Sequence, residues 1–152
     1  MHLTERDDAL DQRLDLIPVP DLANMIKRKL DEIQPSIVFT HSCGDINRDH
    51  RIMSEIVLVA TRPPSSVKEI YSFDITGDWA FAQLGSFHPN VFIDITETME
   101  AKLKDLQLYD KIELREYPHP RSLEKITALA ERWGSVISVR YAEAFELIRA
   151  IK

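Results

Sequence analysis

The spacing of apolar residues divides the chain into alternating helical and extended stretches. Leu22, Met25, Ile26, Leu30 and Ile33, with Lys29 among them, recur at helical intervals and predict an amphipathic helix over residues 22–33. Asp21, following Pro18 and Pro20, is placed to cap its start, and Pro35 to stop it. Ser36-Ile37-Val38-Phe39-Thr40 is a short β-branched and aromatic run, which predicts a buried strand. A polar loop, His41 to Asn47, follows. Ile52, Met53, Ile56 and Val59 then mark the inner face of a helix from Asp49 to Thr61, ended by Arg62-Pro63-Pro64.

The pattern continues in the same alternation. Lys68 to Ile75 reads as a strand, Gly77-Asp78 as a turn, and Asn90 to Asp94 as a third extended segment. Ile95, Met99, Leu103 and Leu106 place one face of a helix over 95–109, and Tyr117-Pro118-His119-Pro120 forms a rigid connector. Residues 122–133 read as a helix closed by Gly134 in the left-handed conformation. The tail from Val136 to Val139 and on to Phe145 is strand-like, followed by a last helical turn. Residues 1–17 carry only scattered apolar points, Leu10, Leu14 and Ile17. The expectation is one α/β domain over residues 1–152, with a mostly parallel sheet flanked by helices. In such sheets ligands bind in loops at the carboxyl ends of strands, which singles out His41–His50.

Composition narrows the class of partner. With 44% hydrophobic and 29% charged residues, the chain has the make-up of an ordinary soluble globular domain. A net charge of −6 gives no reason to expect nucleic acid or an anionic membrane surface as partner. No apolar run approaches the ~18–20 residues of a spanning helix, and the polar, acidic opening lacks the features of a secretory signal. Cys43 is the single cysteine, so no intrachain disulfide forms and a reducing cytoplasm is the simplest home. Four glycines across the whole chain argue against a glycine-rich phosphate loop.

The loop concentrates the candidate chemistry. His41, Cys43, Asp45, Asp49 and His50 lie within ten residues. Imidazole and carboxylate are the usual ligands of a catalytic zinc, which needs three protein ligands and an open water position. Metal-bound water becomes a hydroxide nucleophile near neutral pH, and a neighbouring imidazole can protonate a leaving amine. A plainer reading stands beside this one. Asp45 or Asn47 could cap the following helix, Asp49 would favour its positive end, His50 could be a surface residue, and Cys43 could be buried beside the strand.

Residues 40–51, Thr-His-Ser-Cys-Gly-Asp-Ile-Asn-Arg-Asp-His-Arg, resemble the Gly-Asp-x-Asn-x-Asp-His-Arg motif of the PIG-L/LmbE-like zinc-dependent N-deacetylases. Ala60-Thr61-Arg62-Pro63, Pro89 to Ile95, Lys102, Tyr117 to Ser122, Glu124, Arg132-Trp133-Gly134 and Ala142 to Phe145 follow in the family's order. The resemblance implies a Rossmann-like fold and hydrolysis of an N-acetyl group from a GlcNAc-type sugar. It implies His50 as a zinc ligand, with Asp49 orienting a nearby imidazole. Many relatives carry His where Asn47 stands; Asn47 cannot titrate, so proton transfer would pass to His41 or be absent. Asp45 belongs to the same catalytic loop, and Arg51, Arg62 and Glu143 are candidate substrate contacts, with Arg132 a candidate partner for Glu143. Arg62 and Glu143 also admit purely architectural readings.

The family's remaining zinc ligands and general base come from a His-Pro-Asp-Asp-Glu segment, and these 152 residues contain none. His88-Pro89 is followed by Asn90 and His119-Pro120 by Arg121. The resemblance therefore implies a domain whose opening β-α-β portion is missing, served by self-association or by a complementing amino-terminal fragment. The stretch Phe73 to Trp79 also departs from the family, lacking its serines. Two functions follow: a zinc-dependent deacetylase completed from elsewhere, or a non-catalytic relative retained as a binding or structural module.

Overall fold

The computed structural model describes residues 12–75, 87–109 and 114–152. The opening residues up to Asp11, the Gly77-Asp78 turn and Trp79 lie outside the described residues. The chain divides into two compact units. Of the described residues, the first takes in 12–74, 87 and 147–152, and the second 75, 88–109 and 114–146.

In the first unit, helix α1 runs Val19–Ile33 and helix α2 Arg48–Ala60, with strands β1 (Ile37–His41) and β2 (Glu69–Phe73). Pro20 sits in the first turn of α1, where its missing N–H costs nothing, and Asp21 follows it inside the helix instead of capping it. Gln34 closes α1 in the left-handed conformation at φ 54°, its N–H donating to Leu30 O, and Pro35 cannot continue the helix. The stripe that becomes core is Leu22 and Ala23 of α1 against Ile56 and Ala60 of α2, with Ile26, Leu30, Ile52 and Val59 packed around them. Met25 and Ile33, which extend the helical pattern, are exposed. Ile56 is 1% exposed, and burying such a side chain contributes about 1.5–3 kcal/mol.

β1 and β2 pair in parallel, Ile37 opposite Glu69 through His41 opposite Phe73. Alternation puts Val38 and Thr40 on one face with Ile70 and Ser72, and α2 packs against β1. Thr40, Ile70 and Ser72 are fully buried there. Burial on both faces was the expectation for β1, but on its other face Ile37 and Phe39 remain 46% and 49% exposed, Phe39 stacking on Tyr71 at 5.3 Å. A strand's composition fits it for burial; what lies over each face decides whether burial occurs.

In the second unit, strand β3 (Val91–Asp94) pairs antiparallel with strand β4 (Ala142–Ala150), Val91 opposite Phe145 through Asp94 opposite Ala142. Helices α3 (Met99–Gln107) and α4 (Leu123–Ile137) complete it, with α4 packed on β3 and Phe92 against Trp133 at 6.0 Å. β4 begins in this unit and its last residues, 147–150, belong to the first, giving the strand order β1-β2-β4-β3. The class is α/β as expected; the sheet is mixed, because β3 and β4 run in opposite directions.

Two local expectations change. Gly134 does not end α4, which continues to Ile137 and closes at Ser138 with φ 62°. Gly134 instead lies against the turn that leaves the helix: a Cβ there would meet Val139 O at 2.6 Å and Arg140 O at 2.7 Å. The tail is helical through Ile137, turns over residues 138–141 and is strand from Ala142 to Ala150, in place of the strand-like run and closing helical turn expected. Among the described residues, no helix is long and apolar enough to cross a membrane.

Candidate functional site

The His41–Arg51 loop lies at the carboxyl end of β1, within the first unit. Ser42 N–H donates to Phe73 O at 2.9 Å, carrying the ladder one residue past β1 before the chain turns. The turn is closed by Asp45 N–H on Ser42 O at 3.4 Å and Gly44 N–H on Ser42 Oγ at 3.3 Å. Cys43, expected to be buried, projects from this turn as an exposed thiol.

Short polar side chains then organise the entry to α2. Asn47 N–H donates to Asp45 Oδ1 at 2.7 Å. Asn47 is the N-cap, its Oδ1 accepting from Asp49 N–H at 2.9 Å and His50 N–H at 3.4 Å, so two amides that the helix itself leaves unsatisfied find a partner. Arg51 Nη1 donates to the carbonyls of Asp45 and Ile46, both at 2.7 Å. Arg51 thus clamps the loop backbone through this one nitrogen.

The titratable groups meet inside this frame. His50 Nδ1 and Asp45 Oδ2 share a hydrogen bond of 2.8 Å, with Asp45 buried to 1% exposure. The His41 ring stacks on His50, centroids 4.3 Å apart and planes 20° apart, and leans on Phe73 at 5.0 Å. Asp49 points elsewhere: its Oδ1 accepts from Leu14 N–H at 3.1 Å, tying the short helical turn Leu14–Leu16 to the loop.

Arg62, in the same unit, does not join this cluster. Arg62 lies just past the far end of α2, ~18 Å from His50 at 1.5 Å per residue. Its Nε donates to Val59 O at 3.3 Å, and it borders a cleft with Val19, Ala23 and Lys27. Glu143 belongs to the second unit, where Lys102 Nζ donates to it at 2.5 Å; Arg132, its expected partner, lies over the Trp133 ring at 4.7 Å instead. The residues missed from the sequence are Ser42, Phe73 and the Leu14 amide. Only Ser42, a small polar residue directly after a strand, left a local signal.

A catalytic zinc requires three protein ligands. Among the described residues, no group of three or more His, Cys, Asp or Glu side chains converges to hold a metal. His50 with its carboxylate matches one ligand of such a centre, and the set as a whole does not fit one.

No family model matches the sequence, and no curated protein matches it. Solved structures share its fold. A conserved protein from Thermus thermophilus superposes with a TM-score of 0.70 at 19% identity, over 88% of this chain and 60% of the other. N,N'-diacetylchitobiose deacetylase from Pyrococcus horikoshii, complexed with its inhibitor, gives 0.67 at 20%, over 91% and 54%. A teicoplanin deacetylase in its zinc-inhibited form gives 0.64 at 17%, over 99% and 56%. The chain therefore spans little more than half the length of the structures it matches. The 4-carboxy-2-hydroxymuconate hydratase of Pseudomonas putida also has this fold, at 0.60, so the fold by itself does not name the reaction.

Proposed function

We propose that this chain belongs to the PIG-L/LmbE-like deacetylases and that its His41–Arg51 loop forms one side of a site removing an N-acetyl group from a GlcNAc-type sugar. The observation that carries the reading is the His41, His50 and Asp45 cluster, standing on the family-like motif at the carboxyl end of a parallel strand. The fold shared with two deacetylases supports it.

In this reading His50 is the chain's zinc ligand. Zinc, when bound, would supply Lewis acidity toward the acetamide carbonyl. Asn47 is committed to capping α2 and has no titratable proton, so protonation of the leaving amine falls to His41, the imidazole stacked on His50. Arg51 and the Asn47 cap hydrogen-bond the loop backbone that carries Asp45 and His50. The other metal ligands and the base would then come from an amino-terminal segment outside these 152 residues, on this or a complementing chain. A cytoplasmic location fits the lone, exposed Cys43 thiol.

A second reading is a non-catalytic binding or structural module, in which His41, His50 and Asp45 stand together without being arranged to hold a metal. Zinc content after exhaustive dialysis, measured beside His50→Ala, separates the two. Stoichiometric zinc that disappears in the variant supports the deacetylase reading. Zinc absent from both, at every protein concentration and after mixing with a candidate complementing fragment, leaves the module.

A further inference from the structure

We infer that Asp45 is the positioning residue for His50, and that it sets which imidazole nitrogen carries the lone pair. The inference deepens the role given to His50 above and rests on it. The sequence pointed to Asp49, the immediate neighbour, as the carboxylate that orients an imidazole. In the structure Asp49 Oδ1 accepts the Leu14 amide at 3.1 Å, while Asp45 Oδ2 lies 2.8 Å from His50 Nδ1.

An ionised carboxylate can only accept hydrogen bonds. The proton in the Asp45–His50 bond therefore sits on Nδ1, and in the neutral ring the lone pair sits on Nε2. The second carboxylate oxygen is equally committed, since Oδ1 accepts Asn47 N–H at 2.7 Å. The backbone that carries the carboxylate is held as well, because Arg51 Nη1 donates to the carbonyls of two successive peptide units, those of Asp45 and Ile46. The His50 ring is restrained from its face by His41 at 4.3 Å, and its backbone amide is held by Asn47. Fixing the tautomer through Nδ1 is how carboxylates commonly prepare an imidazole to bind a metal or exchange a proton at Nε2.

Substitution by Asn makes the inference sharp. The Asn oxygen would keep the Asn47 amide, and its NH2 group would then face His50 Nδ1 and require a lone pair there. The opposite orientation sets NH2 against the Asn47 N–H, donor against donor. Asp45→Asn should therefore invert the tautomer.

The test is the long-range proton–nitrogen correlation spectrum of the 15N-labelled full chain at a pH where ordinary imidazoles are neutral, with His50→Gln assigning one signal among the five histidines. The expected result is the Nδ1–H tautomer for His50 in the wild type and in Asp49→Asn, and the Nε2–H tautomer in Asp45→Asn. A wild-type ring protonated on Nε2 overturns the inference, whether or not any variant folds. So does an unchanged tautomer in an Asp45→Asn protein with a native far-ultraviolet circular dichroism spectrum, or a tautomer that changes in Asp49→Asn. None of these readouts requires bound metal, so a failure of the zinc experiment and a failure of this one are distinct results.

Discussion

Gly134→Ala should destabilise the protein, against the trend for a glycine inside a helix. In an unconstrained helix interior the change gains about 1 kcal/mol, because Ala loses less backbone freedom on folding. At Gly134 the added Cβ would lie 2.6 Å from Val139 O, 2.7 Å from Arg140 O and 2.8 Å from Arg140 C. Ordinary carbon–oxygen contacts begin at about 3.3 Å, so the overlap is roughly half an ångström or more with each oxygen. All three atoms are backbone, so no rotamer change relieves it. The turn that must move also donates Val139 N–H to Gly134 O at 3.0 Å and leads directly into β4. Overpacking of this kind costs about 1–3 kcal/mol, and three backbone contacts at once place this site at the upper end. Subtracting the helix gain leaves a net loss of about 2 kcal/mol. For a chain of this size that lowers the midpoint of thermal unfolding by roughly 4–8 °C. Urea and thermal unfolding of the two proteins, followed by far-ultraviolet circular dichroism, measure it directly. A variant as stable as the wild type, or more so, would refute the argument and show that the turn yields at little cost.

Asn47→Ala removes the side-chain acceptor that caps the Asp49 and His50 amides and should cost about 1 kcal/mol in denaturant unfolding; Asn47→Asp should retain most of the cap, and an equal loss in both would contradict the capping role. Glu69 is held below the ordinary carboxylate range by the Tyr71 hydroxyl, which donates to it at 2.5 Å, and by Lys152, while Tyr71 is raised by the same bond. The Glu69 contribution to stability is therefore present above the ordinary carboxylate range and lost as pH falls through its lowered folded value. The Tyr71 contribution is present below the ordinary phenol range and lost as pH rises through its raised folded value. Tyr71→Phe should flatten both limbs of the difference in stability plotted against pH, and identical profiles for the two proteins would disprove the coupling.

Several features were legible in the chain because they depend on neighbours within one helical turn or one strand. The apolar stripe of α1 is readable because a helix returns to the same face every three to four residues, and Pro35 necessarily stops it. The cap at Asn47 is equally local: a short amide two and three residues before the amides it accepts. The order of strand, polar loop and helix is local as well, and it makes His41–His50 the candidate site before any side chain is positioned.

Other features depend on residues far apart in sequence, and no local pattern encodes them. Glu143 takes Lys102 as its partner because β4 and α3 meet across 41 residues of chain. Gly134 looks like a helix stop, yet it is required because the turn leaving the same helix, at Val139 and Arg140, folds back against it, a contact set by where that turn leads and not by the glycine's own neighbours. Phe39 has the residue type of a buried strand, but half its surface is open, since burial belongs to the layer above a strand and not to the strand. The resemblance gives Asp49 the role of orienting an imidazole and leaves Asp45 without a partner. The Asx turn at Asp45–Asn47 aims Asp45 at the imidazole, and the Leu14 amide claims Asp49. Local geometry is set by covalent chemistry and dihedral preference, and so it can be read residue by residue. Which side chains become partners is set by how the folded segments pack, and only the tertiary structure decides it.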